Sequence, residues 1–197
     1  MWNVRVSVAV GIAVLGGELG SSPGELDARS ILARMAEVYA ECESYRDSGV
    51  VTTVFIEERE RRTVKKPFTT AFVRPDRFRF EFLDRRCEDE FDRYLVWQGG
   101  EDVRTWWDVT PGVEEKASLE RALGAARGVS GASSYTIPDL LLDFATGFPR
   151  VTRPANAERK ADADLEGTRC FVIASGTADE PVTLWIEQET FLLRRID

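Results

Sequence analysis

The stretch RPDRFRFEFLD, residues 74–84, constrains the fold more than any other. Phe78, Phe80 and Phe82 alternate there with Arg77, Arg79 and Glu81. At period two such a segment is an extended strand with one aromatic face and one charged face. Three phenylalanines on one side of a strand must be kept from water. Either they meet the chain's own core, or they line a cavity that holds another molecule's hydrocarbon. The same period recurs in GVVTTVFIEE, PFTTAFVRP, RYLVWQGGEDVRTWWD, TRCFVIAS and VTLWIEQETFLLRRI. The third of these is a hairpin turning at Gly99-Gly100, and the last turns about Glu187–Thr190. The charged segment 57–66 reads as a turn, and so does Arg74-Pro75-Asp76. Consecutive strands with short turns predict an antiparallel sheet.

Helical period appears in only a few places. DARSILARMAEVYAECESY puts Ile31, Met35, Val38 and Cys42 on one face, with Leu32 and Tyr39 beside them. It predicts a helix of about four turns, capped by Asp27 or Ser30. Between the strands, Thr110 and Pro111 predict a helix start, Leu119, Ala122, Leu123 and Ala126 its apolar stripe, and Gly128 its end. GVSGASSYT then reads as a flexible connection, and IPDLLLDFATG as a short apolar helix. Helix, strands, helical insertion, strands is an α+β order. Residues 1–22 read as a signal peptide with its linker, with a buried first element as the less favoured alternative: Arg5 precedes an apolar run, Val6 to Leu15, too short to span a bilayer. Residues 23–197 are then one domain, exported to the periplasm or secreted.

Several functions are disfavoured by what the chain lacks. It contains no histidine. That removes the usual general base near neutral pH, the Ser–His and Cys–His pairs and the commonest metal ligand. A formal net charge of -8 argues against nucleic acid as the main partner. The basic run Arg59 to Lys66 is interleaved with glutamates and reads as a solvated hairpin tip. Glu88, Asp89, Glu90 and Asp92 read as a solvated loop. DADLEG opens like a calcium loop, but its twelfth position is Ile173 rather than glutamate, so it reads as a polar turn. Ser130 in GVSG has no histidine to activate it. Cys42, Cys87 and Cys170 match no zinc spacing; they are buried thiols, or one pair bridges. No metal or cofactor is expected, and a carboxylate-only hydrolase is the least favoured reading.

The aromatic residues remain. Phe78, Phe80, Phe82, Trp97, Trp106 and Trp185 are the candidate lining of an apolar cavity, with Leu140, Leu141 and Phe144 as its lid. Should the sheet wrap the other way, neighbours such as Trp107 take their place. Seven or more strands offer more apolar face than two or three short helices cover, and sheets of that size curl. A curled sheet with a partial helical plug leaves a concave site. A filled core is the equal alternative.

The helix ending YAECESYRDSG, the strand FTTAFVRPDRFRFEF, the hairpin VWQGGEDVRTWWD and the closing LEGTRCFVIAS and LWIEQETFLLRR resemble the periplasmic lipoprotein-carrier (LolA-like) superfamily. The resemblance covers about residues 29–197. It implies a half-open antiparallel β-barrel plugged by helices on its concave face, without catalysis. It implies a lipid or a lipoprotein acyl chain as ligand, an envelope membrane protein as a further partner, and no transmembrane span. One branch of the superfamily senses envelope stress, so an interaction module with a filled core is the second reading. The insertion 111–146 is longer than that pattern. The chain also stops straight after the last hairpin, which predicts an exposed edge strand or a C-terminal truncation.

Overall fold

The structure, a computed structural model, describes residues 3–10, 26–57, 60–85, 90–142, 156–178 and 181–197. Strand β1 (Asn3–Val10) is followed by helix α1 (Ala28–Glu41). A meander comes next: β2 (Ser44–Glu57), β3 (Glu60–Val73), β4 (Arg77–Arg85), β5 (Phe91–Gly99), β6 (Asp102–Trp107) and β7 (Thr110–Lys116). Helices α2 (Leu119–Ala126) and α3 (Ser133–Leu141) form the insertion. The chain closes with β8 (Glu158–Arg159), β9 (Ala163–Leu165), β10 (Thr168–Gly176), β11 (Pro181–Glu187) and β12 (Leu193–Ile196).

The class is α+β, as the order of periods predicts. Each of β2–β6 pairs antiparallel with the next, so that β7 ends the sheet. A second meander runs β10-β11-β12, with β8 and β9 both on β10. β1 lies between β2 and β12 and joins the two. Among the described residues the strands do not close into a barrel, an arrangement compatible with a curled half-barrel.

Alternation becomes burial. In β4, Phe78, Phe80 and Phe82 are 3%, 0% and 1% exposed, while Arg77 and Arg79 between them face water. Helix α1 starts where Asp27 accepts a hydrogen bond from Ser30 N at 2.7 Å, satisfying one of the free donors of the first turn. It buries Ile31, Leu32, Met35 and Tyr39. The aromatic strands, α1, α2, α3, β10 and β11 share one core.

Four expectations change. The 57–66 turn is ladder: β2 and β3 run on until Glu57 pairs with Glu60. Thr53, Val54, Ile56, Thr63 and Val64 are β-branched, and pairing satisfies backbone groups that a loop leaves to water. The helix predicted from Thr110 begins only at Leu119, where Ser118 Oγ accepts from Arg121 N at 3.2 Å. Gly112, at φ 148°, and β-branched Thr110 and Val113 suit the edge strand β7 better than a helical turn. Helix α3 starts earlier than expected and ends at Leu141; Phe144 lies outside the described residues. The last strand is no open edge, because β12 is paired by β11 on one side and β1 on the other. Of the segment read as leader and linker, Asn3–Val10 forms β1 in the sheet, and residues 11–25 lie outside the described residues.

Candidate functional site

The candidate site is the aromatic face of β3–β6 beneath the insertion. Pairing register builds it. Phe68 lies opposite Phe82 and Phe72 opposite Phe78. On the next strands Phe80 faces Val96, Phe82 faces Tyr94, and Tyr94 faces Trp107. The rings form a continuous run: Phe68–Phe80 at 6.4 Å, Phe80–Phe82 at 6.3 Å, Phe82–Tyr94 at 5.4 Å and Tyr94–Trp107 at 5.9 Å between centroids. These are ordinary spacings for packed aromatic pairs.

Of the sequence-predicted residues, the structure brings Phe78, Phe80, Phe82, Leu140 and Leu141 into one buried cluster. Trp97, Trp106 and Trp185 do not join them. Trp97 sits opposite Arg79 and Arg104, and Trp106 opposite Leu95, on the face away from the helices. Trp185 pairs with Arg195, whose guanidinium lies 5.5 Å from the indole centroid. The physical reason is parity: the Gly99-Gly100 turn sets Gln98 against Val103, so each odd-numbered residue of β5 meets an even-numbered residue of β6. Trp107, the stated alternative, is the tryptophan on the aromatic face. Phe68 and Tyr94 belong there too, and their place follows from the same alternation once the register is known.

The cover is short and is held mainly by burial of its apolar side chains. α2 lies over β5, β6 and β7, and α3 over β3 and against α1. α2 presents Leu119, Ala122, Leu123 and Ala126 inward, and α3 presents Ile137, Leu140 and Leu141. Between the helices, Gly131 and Ala132 both take left-handed φ, 65° and 71°. Among the described residues, directed bonds to the sheet include Tyr94 Oη donating to Ala122 O at 3.3 Å, and Lys66 Nζ donating to Val129 O at 2.6 Å while pairing with Asp84 at 2.9 Å. Arg74, from the β3–β4 turn, donates to Cys42 O at 3.0 Å and to Leu141 O at 3.4 Å, tying the ends of α1 and α3 together.

Two polar features stand inside this apolar region. The Trp107 indole Nε1 is buried without an acceptor among the described residues. Asp47, 3% exposed, accepts from Thr70 N at 2.8 Å and from Tyr45 Oη at 3.2 Å. Burial pushes its carboxyl up to about 6, against the pull of those hydrogen bonds. The Tyr39 ring from α1 is 5.4 Å from that of Tyr45, and its hydroxyl accepts from Leu193 N at 3.2 Å. The Tyr45–Asp47–Tyr39 grouping carries no motif; only the fold assembles it from β2 and α1.

Among the described residues, which do not include Cys87, the nucleophiles are poorly placed for chemistry. Ser130 is fully buried, its hydroxyl hydrogen-bonded to Ser134 Oγ at 3.2 Å. Cys42 and Cys170 are free thiols, and burial raises both, Cys170 to about 11. Both are therefore held protonated at neutral pH, the form that does not attack. DADLEG forms the expected turn, with Asp164 accepting from Gly167 N at 2.8 Å.

No family model matches the chain, and no curated protein matches it in sequence. Two solved structures are similar in outline. One is a DUF1329 family protein from Desulfovibrio piger, at 13% identity and TM-score 0.36, over 86% of this chain and 71% of that one. The other is an outer membrane lipoprotein-sorting protein domain from Vibrio parahaemolyticus, at 14% identity and TM-score 0.32, over 82% of this chain and 67% of that one.

Proposed function

We propose that this chain binds an apolar ligand, a lipid or a lipoprotein acyl chain, without catalysis, and carries it within the bacterial envelope after export. The observation that supports this reading is the aromatic run Phe68–Phe80–Phe82–Tyr94–Trp107 beneath a short two-helix insertion. The insertion turns on two successive left-handed residues, and Lys66 and Tyr94 of the sheet bond to its backbone. Swinging it outward bares the aromatic face. An acyl chain then replaces the leucines of the cover, each buried methylene contributing about 0.8 kcal/mol against the cost of exposing those leucines. The unpartnered Trp107 N–H is a donor for the ligand's ester or carboxyl oxygen, and pairing it removes a desolvation penalty of about 1–3 kcal/mol. Among the described residues no helix is long and apolar enough to cross a membrane.

Locking the cover tests this. A Cβ built on Gly131 lies 3.5 Å from Val51 Cβ, within the span a disulfide bridges. The double variant Val51→Cys/Gly131→Cys, with Cys42, Cys87 and Cys170 replaced by alanine, is expected to bind a fluorescent fatty acid only when reduced. The parent is expected to bind it saturably and to release it to unlabelled fatty acid. A folded parent that takes up no probe, or a locked variant that binds as well as the reduced one, removes the carrier reading.

A further inference from the structure

We propose that the outer face of β3–β6, on the side away from the helices, docks the chain onto a membrane surface containing anionic lipid. The chain as a whole has a formal net charge of -8. This face has the opposite sign. The register sets Arg79 beside Trp97 and Trp97 beside Arg104, one row across three strands. The adjacent row runs Glu81, Leu95, Trp106. Arg77 and Arg93 flank the two rows, opposite Gly99 and Leu83.

Five arginines stand on this face, Arg77, Arg79, Arg85, Arg93 and Arg104, against the four carboxylates Glu81, Asp102, Asp108 and Glu115, of which Asp108 accepts from Trp106 Nε1 at 2.7 Å and from Arg93 N at 2.9 Å. Arg79 pairs with Glu81 at 2.6 Å and Arg104 with Asp102 at 3.3 Å. Arg77 and Arg93 make no ion pair among the described residues, and both are exposed. Their charge is available to an outside anion. Because they stand on interior strands, their backbone is fixed before any contact and only side-chain freedom is lost on docking.

The apolar residues decide the kind of anion. Val73, Phe91 and Val113 are 46%, 41% and 58% exposed, and they share the face with the half-buried Trp97 and Trp106. Tryptophan with arginine suits the headgroup layer, where the ring meets apolar matter and the charge meets phosphate. Exposed valines gain from an acyl boundary, and a phosphodiester groove offers them nothing. The acidic remainder of the chain is repelled by the same surface, which orients the molecule with this face down.

The experiment is co-sedimentation of the full chain with vesicles of phosphatidylcholine alone and with phosphatidylglycerol added. Binding is expected only to the anionic vesicles, and it is expected to fall as salt rises. The variant Arg77→Glu/Arg79→Glu/Arg93→Glu/Arg104→Glu is expected to lose about 100-fold or more, with its thermal unfolding unchanged. If that variant misfolds, the single changes Arg77→Glu and Arg93→Glu are expected to weaken binding several-fold each. Trp97→Ala/Trp106→Ala is expected to weaken it about tenfold. Equal binding to both vesicle types, charge-reversed variants that bind normally, or preference for single-stranded nucleic acid over anionic vesicles overturns the proposal. The locked-cover variant, which tests the acyl site, is expected to sediment normally, so the two readings fail separately.

Discussion

Strand β4 carries two chemistries one residue apart. Phe80 has no exposed surface, while Arg79 stands in solvent on the opposite face. The inner face is one packed cluster shared with three helices, and its residues are chosen by volume and by exclusion of water. The outer face is chosen by charge. Stability therefore belongs to the inner face, and the outer face is left to whatever the molecule touches.

That contrast breaks most decisively at Phe80. Phe80→Asp places an unpaired carboxylate at a site of 0% exposure and is expected to abolish cooperative folding. Arg79→Asp, on the neighbouring residue, is expected to shift stability by less than about 0.5 kcal/mol. Urea titrations of the two proteins check this, and similar midpoints would mean that the faces do not differ as described. Next in size is truncation. Phe82→Ala, at 1% exposure, is expected to lose about 3–5 kcal/mol, against about 1 kcal/mol for the half-buried Trp97→Ala.

Asp47 sharpens the comparison from the other direction, as an acid on the inner side. Its carboxyl is raised from the usual 3.8 to about 6 in the folded chain. Protonation therefore favours folding. The stabilisation is complete below about pH 4 and is lost as pH rises through 6, about 3 kcal/mol in all. The groups facing Asp47 are Tyr45 and Thr70 on the sheet and Tyr39 on α1, none of them a cation. Asp47→Asn is expected to flatten the pH dependence between 4 and 7 and to be the more stable protein at pH 7. A wild-type stability that rises across that window contradicts the placement of the carboxylate in a dry site.

Much of this was legible in the residues. FRFEF could only be a two-faced strand, and the Gly99-Gly100 turn and the α1 stripe read directly, because local steric preference and period act within a few residues. The candidate lining was legible strand by strand and not between strands. Nothing in VWQGGEDVRTWW alone tells which tryptophan shares a side with Phe80. That depends on how many residues the hairpin turn consumes, and one residue more or fewer inverts the answer. The same holds for β7: TPGVEE has helix-start residues, yet an available edge on β6 drew it into the sheet.

The sequence by itself determined an α+β chain of amphipathic strands with a helical interruption, without histidine and with an aromatic side to bury. Tertiary structure alone decided that Trp107 rather than Trp97 or Trp106 lies with the phenylalanines. It alone closed α2 and α3 over them, and set the arginines of β4, β5 and β6 on one face of the sheet. Period is a property of neighbours along the chain, whereas pairing register and helix docking are settled by contacts between residues far apart in it.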